Sequence, residues 1–171
     1  TSWSTAKSDL QNAIDLTIAG DEIWIASGTY KPTFDPASGT ASGNTRDYSF
    51  YLDKSIKIYG GFSGAETALN QRNIALSPVV LSGDIGTSVT TSDNCYHVII
   101  TDGLASTAVI DGVTICDGNA NGTSTLSYSG QTYNQTYGGG IYNIASSPTI
   151  SNVTFLNNIA SDGGGIYNNS S

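Results

Sequence analysis

A chain of 171 residues with twenty glycines, a formal net charge of −8 and only 12% charged residues is long enough for one core and too short for two large ones. The acidic balance excludes nucleic acid and anionic membrane surfaces as electrostatic partners, and no apolar run reaches spanning length, so this segment is not expected to insert in a membrane. No signal-peptide pattern opens the sequence and methionine is absent altogether, so it is expected to be a mature or excised piece.

From Ser4, an N-cap residue, Ala6, Leu10, Ala13-Ile14 and Thr17-Ile18 recur at helical spacing, and Gly20 supplies a stop. This predicts an amphipathic helix within residues 1–20. Ahead of stacked strands, its task would be to cover the apolar interior and free edges of the first coil. Residues 21–121 read as irregular coils. Ile23 and Ile25 share one face of a first strand, Gly28 to Pro32 turns it, and 33–47 form a polar loop. Strands follow at 48–52 and 55–59, then an irregular excursion over 65–77 holding Glu66 and Arg72. Leu81, in Val79-Val80-Leu81, is expected to stand where Ile110 stands one coil later. Gly83 to Asn94 is a loop, and His97-Val98-Ile99-Ile100 restarts the strands.

Gly122 to Tyr137 is a Ser/Thr/Tyr/Asn-rich insertion, expected to be a loop thrown out from the coil. Residues 138–171 then repeat. Gly138-Gly139-Gly140-Ile141-Tyr142-Asn143 returns as Gly163-Gly164-Gly165-Ile166-Tyr167-Asn168, 25 residues later. Between them Ile150, Val153 and Phe155 match Ile110, Val113 and Ile115 at an offset of 40 residues, one coil plus the insertion. The three-residue step from Ile150 to Val153 breaks strand alternation, so a corner at Ser151-Asn152 must restore the phase. Short strands, corners and a period in the twenties predict a solenoid of the all-β class, a right-handed parallel β-helix with an N-terminal capping helix. Asn143 and Asn168 should stack inside it, with Tyr142 and Tyr167 as an outward ladder. No cap follows the last coil, so the coils are expected to continue beyond Ser171 or to meet a partner.

The glycine-triplet and Phe155-Leu156-Asn157-Asn158 motifs resemble the repeats of chlamydial polymorphic outer-membrane proteins. The whole chain is similar to bacterial secreted right-handed β-helix proteins. The likeness rests on the stretch from Gly20 to Pro32, on Ile58-Tyr59-Gly60-Gly61-Phe62, on Leu81-Ser82-Gly83-Asp84-Ile85 and on Asp111-Gly112-Val113-Thr114-Ile115. The resemblance implies an exported, surface-attached and adhesive protein, extracellular or on the outer cell surface. It also brings in the pectate-lyase-like superfamily, with its polysaccharide lyases and hydrolases.

Such an enzyme needs clustered carboxylates and, for a lyase, a basic proton abstractor. Here all cations (Lys7, Lys31, Arg46, Lys54, Lys57, Arg72) precede the regular coils, and Asp102, Asp111, Asp117 and Asp162 fall at corners where Asp makes turn hydrogen bonds. No catalytic or cofactor residue is assigned. Calcium is the sole metal candidate, with Asp84 and Asp93-Asn94 at the two ends of one loop. Tyr128, Tyr133 and Tyr137 in the insertion, with Tyr142 and Tyr167, are candidate interaction residues, or else ordinary outward packing. Cys95 and Cys116 either form a disulfide or remain two small unpaired strand residues. The expected function is therefore a non-catalytic rod presenting loops to glycans or proteins of a host or neighbouring cell. A carbohydrate-active β-helix, or a fibre subunit docking copies of itself on the open C-terminal coil, are the alternatives.

Overall fold

The computed structural model describes residues 2–39 and 45–169. Thr1, the 40–44 part of the expected 33–47 loop, and Ser170 and Ser171 of the expected C-terminal coils lie outside the described residues.

The opening helix is shorter than its apolar spacing predicts. Helix α1 (Leu10–Asp15) is capped by Asp9, whose carboxylate accepts the Asn12 N–H at 2.8 Å. Ser4 instead lies in a single 3-10 turn, Trp3–Thr5. A carboxylate one residue before the apolar run is the better N-cap, so the helix starts there. Lys54 closes its other end by donating to the carbonyls of Ile14, Asp15 and Thr17. Leu10, Gln11 and Ile14 are buried, whereas Leu16 and Ile18 lie past the helix and are exposed.

Beyond α1 the chain is all-β. It runs through β1 (Glu22–Ala26), β2 (Gly28–Tyr30), β3 (Phe50–Leu52), β4 (Lys57–Phe62), β5 (Val79–Ser82), β6 (Ile99–Asp102), β7 (Val109–Asp111), β8 (Thr114–Cys116) and β9 (Asn119–Ala120). The insertion contributes β10 (Thr125–Tyr128) and β11 (Gln131–Asn134); then come β12 (Ile141–Ile144), β13 (Thr149–Ser151), β14 (Thr154–Leu156), β15 (Ile159–Ala160) and β16 (Ile166–Asn169). The strands are short because corner residues interrupt them. Gly112 (φ 78°) and Asn152 (φ 49°) turn the chain at matching places, as do Asp117 (φ 62°) and Asn157 (φ 55°). Gly and Asn/Asp are the residues that accept this left-handed backbone most cheaply.

Three four-stranded sheets result, ordered β1-β4-β7-β13, β3-β6-β12-β16 and β2-β5-β8-β14, and every neighbouring pair in them is parallel. A fourth parallel ladder joins β9 to β15. In sequence the chain visits the three large sheets in one cyclic order: β3, β4, β5, then β6, β7, β8, then β12, β13, β14.

Side chains of equal register stack into columns. Ile58, Ile110 and Ile150 stand in line, as do Phe50, Ile99, Ile141 and Ile166. They belong to one aliphatic core that also takes in Leu10, Ile14, Leu81 and Ile115. One column in it is polar: Thr101 donates to Asn143 Oδ1, and Asn143 Nδ2 donates to Asn168 Oδ1 at 2.7 Å. Thr101 and Asn143 are buried, so these bonds satisfy groups that would be costly unpaired. The expected match of Leu81 to Ile110 is corrected. Leu81 pairs with Ile115, while Ile110 lies between Ile58 and Ile150. The strand β4 already fills the position beside β7, so β5, which follows the excursion, belongs one sheet further round.

Candidate functional site

The loop that leaves β5 at Ser82 and returns at Asn94 meets the corner after β8 in a small cleft. Asp84, Val89, Thr91, Asn94 and Asp117 line it, and its volume is about 120 Å³. Gly83 makes the meeting sterically feasible. A Cβ there would sit 2.7 Å from the Asp117 carbonyl oxygen and 2.9 Å from Cys95 Sγ, so only glycine lets the main chain pass. The Asp117 carboxylate accepts from Ser82 Oγ at 3.3 Å and from Asn157 Nδ2 at 3.5 Å. Its carbonyl accepts the Asn94 amide NH₂ at 2.7 Å. Arg46, stacked over Tyr96 at 4.1 Å, holds the far side of Asn94 by donating to its carbonyl at 2.7 Å.

Among the described residues, four buried side-chain atoms have no hydrogen-bond partner: Asp84 Oδ1, Asp93 Oδ1, Asn94 Oδ1 and His97 Nε2. Three of the four are oxygens of this one loop. An orphaned buried acceptor costs about 1–3 kcal/mol, more when charged, so such a concentration is not a neutral feature. The structure separates the expected calcium candidates Asp84, Asp93 and Asn94. Asp84 and Asn94 do converge on the cleft. Asp93 is not among its lining residues, because its carboxylate packs against Gly86 and takes the Thr87 N–H at 2.7 Å. Asp117 lines the cleft as well. The signal for it lay in the register, since pairing Leu81 with Ile115 and Ser82 with Cys116 puts Asp117 beside Gly83 and Asp84. Among the described residues no three His, Cys, Asp or Glu side chains gather into a ligand set by themselves, so any metal here would draw on Asn94 as well.

The five tyrosines expected to offer an interaction surface gather on one flank, but they mostly pack against one another. The insertion folds into an antiparallel hairpin, β10–β11, that lies over the outer face of β3, β6 and β12. Tyr133 is 0% and Tyr142 2% exposed, which leaves them covered where recognition anchors were expected. Tyr133 meets Tyr142 at 5.7 Å between ring centroids, Tyr128 meets Tyr51 at 4.9 Å, and Tyr137 stacks on Tyr167 at 4.7 Å. The Tyr142–Tyr167 ladder exists at 5.2 Å, beneath this cover. Tyr51 and Tyr133 hydroxyls both reach Asp102 Oδ2, at 2.9 and 3.3 Å. Burial first, then this network, pushes the Tyr51 hydroxyl far above its ordinary range, so it stays a donor.

Cys95 and Cys116 are free and buried in this structure. The Gly83 main chain runs between them, taking the Cys116 carbonyl through its N–H and the Cys95 N–H through its carbonyl, at 2.8 and 2.9 Å. Burial raises both thiols, Cys116 to about 11, so neither is a ready nucleophile or soft-metal ligand. Of the corner acids, Asp111 forms a salt bridge with Arg72 at 2.9 Å and accepts from Asn152 Nδ2 at 2.9 Å. Burial opposes its ionised form, but the Arg72 and Asn152 hydrogen bonds outweigh burial and lower its pKa. Compared with family models, curated proteins and solved structures, the chain matches none of them.

Proposed function

We propose that this chain is a structural or adhesive segment of an exported bacterial cell-surface protein. In this reading it is a right-handed parallel β-helix, fronted by α1 as a cap, that carries recognition loops and performs no chemistry of its own. The observation that carries the reading is the cyclic visiting order of the three parallel sheets, with like residues stacked in register. Strands arranged in that way rise about 4.8 Å per turn, and each turn is held to the next by main-chain bonds along its length. A stiff rod follows, and stiffness with little charge suits display at a surface. Its ligands would be glycans or proteins of a host or neighbouring cell, met by the polar outer positions of the hairpin, Thr125, Ser127 and Thr132, all exposed.

A second reading, a self-assembling extracellular fibre subunit, is favoured by one specific feature. Strands β13, β14, β15 and β16 each have a ladder partner on one side alone among the described residues, and Leu156 and Ile159 there are about half exposed. Gold-labelled antibodies raised against the purified chain test the surface assignment on unpermeabilised producing cells. Labelling of intact cells is expected. Labelling that needs permeabilisation would refute it.

A further inference from the structure

We propose that the cleft between the β5–β6 loop and the corner after β8 is a binding site for a hard divalent cation, calcium by preference, held by Asp84, Asn94 and Asp117. The inference stands apart from the surface-rod reading and does not depend on it.

Asn94 is 4% exposed, and its NH₂ is committed to the Asp117 carbonyl, which fixes the amide orientation and leaves Oδ1 as an acceptor with nothing to accept. Asp84 Oδ1 is in the same state on the same cleft. The other Asp84 oxygen has Lys31 only at 3.8 Å, a distant and partly exposed pair that leaves the first oxygen unserved. The absent partner is therefore an electron-pair acceptor placed between two residues that present oxygen.

Charge then selects among such partners. Asp84 and Asp117 both line the cleft, with two cations beside it: Lys31, 3.8 Å from Asp84 Oδ2, and Arg46, which donates to the Asn94 carbonyl at 2.7 Å. A neutral donor would relieve the orphaned oxygens without neutralising the carboxylates, whose neighbouring cations are a lysine at 3.8 Å and a guanidinium held by main-chain oxygens. A divalent ion answers both. Ligand chemistry narrows it further: the lining offers oxygens from Asp, Asn and Thr side chains and from the main chain, with no imidazole. Cys116 is not among the lining residues, so the cleft offers no soft ligand. At about 120 Å³ the cleft has room for an ion and several waters. Calcium accepts such a mixed, irregular shell of oxygens, whereas magnesium demands a near-ideal octahedron.

Isothermal titration calorimetry and thermal melting of the full chain in calcium chloride, after chelator treatment, test this. The titration runs to about 10 mM, above the dissociation constants usual for extracellular modules. The expected result is a saturable heat and a Tm rise of roughly 5 °C or more at saturation. Asp84→Asn and Asp117→Asn, each of nearly unchanged shape, should weaken binding at least tenfold while keeping the wild-type circular dichroism. Asp53→Asn, on an exposed residue elsewhere, should leave the response intact. Absence of both heat and Tm shift overturns the proposal, since the orphaned oxygens are then served by water. An undiminished response in both cleft variants overturns it too, because the ion then binds elsewhere.

Discussion

His97, the only histidine, is buried at 2% exposure with Nδ1 3.1 Å from the Gly138 carbonyl and Nε2 unpartnered. Burial disfavours the imidazolium, and although the backbone carbonyls of Gly138 and Tyr137 favour it, the pKa falls to about 4. A folded pKa below the unfolded value near 6.5 means stability that is complete above about pH 6.5 and lost as pH falls toward 4. The loss should approach 3 kcal/mol, and His97→Gln should flatten that part of the profile. Urea midpoints from pH 7 to 4 measure it, and a flat wild-type profile would refute neutral burial. Gln11 is a second residue whose role exceeds its type. Its side chain accepts the Tyr51 N–H at 2.9 Å and donates to the Tyr51 carbonyl at 3.2 Å, doing for the free edge of β3 what a neighbouring strand would do. Gln11→Ala strands both buried backbone groups and should destabilise by about 2 kcal/mol in denaturant melts.

At the scale of elements, the β10–β11 hairpin is a lid of packing rather than a free loop. Leu126 and Tyr133 are buried against Tyr51, Ile100, Tyr142 and Ile144, a cluster separate from the main core. Leu126→Ala should cost about 2 kcal/mol, at the low end for a core truncation because the site is at the surface of the sheet. Replacing 124–135 by a Gly/Ser linker should leave the parallel sheets folded but expose Tyr142 and Ile144, read out as new binding of a hydrophobic dye and faster proteolysis. Unchanged dye binding would mean that the hairpin does not seal this face. The helix α1 is similarly specific: Asp9 and Lys54 fix its two ends, and Gln11 fixes its attachment to β3.

At the scale of the whole molecule, the fibre-subunit reading places its contact on the one-sided strands β13 to β16. Leu156 and Ile159 are 51% and 49% exposed beside unpaired main chain, a combination that templates strand addition. Leu156→Lys with Ile159→Lys should therefore reduce concentration-dependent association in sedimentation velocity without lowering Tm by more than about 1 kcal/mol equivalent. Equal association by the variant and the wild type would show that these edges are not the contact.

The sequence alone determined what repeats. The 40-residue offset between Ile110 and Ile150 and the 25-residue offset between Asn143 and Asn168 are ladder registers in the structure, because stacked strands must present like residues at like positions. The corner at Asn152 was legible for the same reason, from an apolar spacing that one straight strand cannot hold. What does not repeat was decided by tertiary structure. Leu81 took Ile115 as partner because β4 already occupied the place beside β7. The insertion became a hairpin because the outer Tyr142 column offered an apolar face to cover. Asp117 joined Asp84 across 33 positions of sequence because the turn of the chain, and no local signal, brought its corner beside Gly83. Periodicity is a local property of the chain and can be read there; convergence of unlike segments depends on which strand fills each place first.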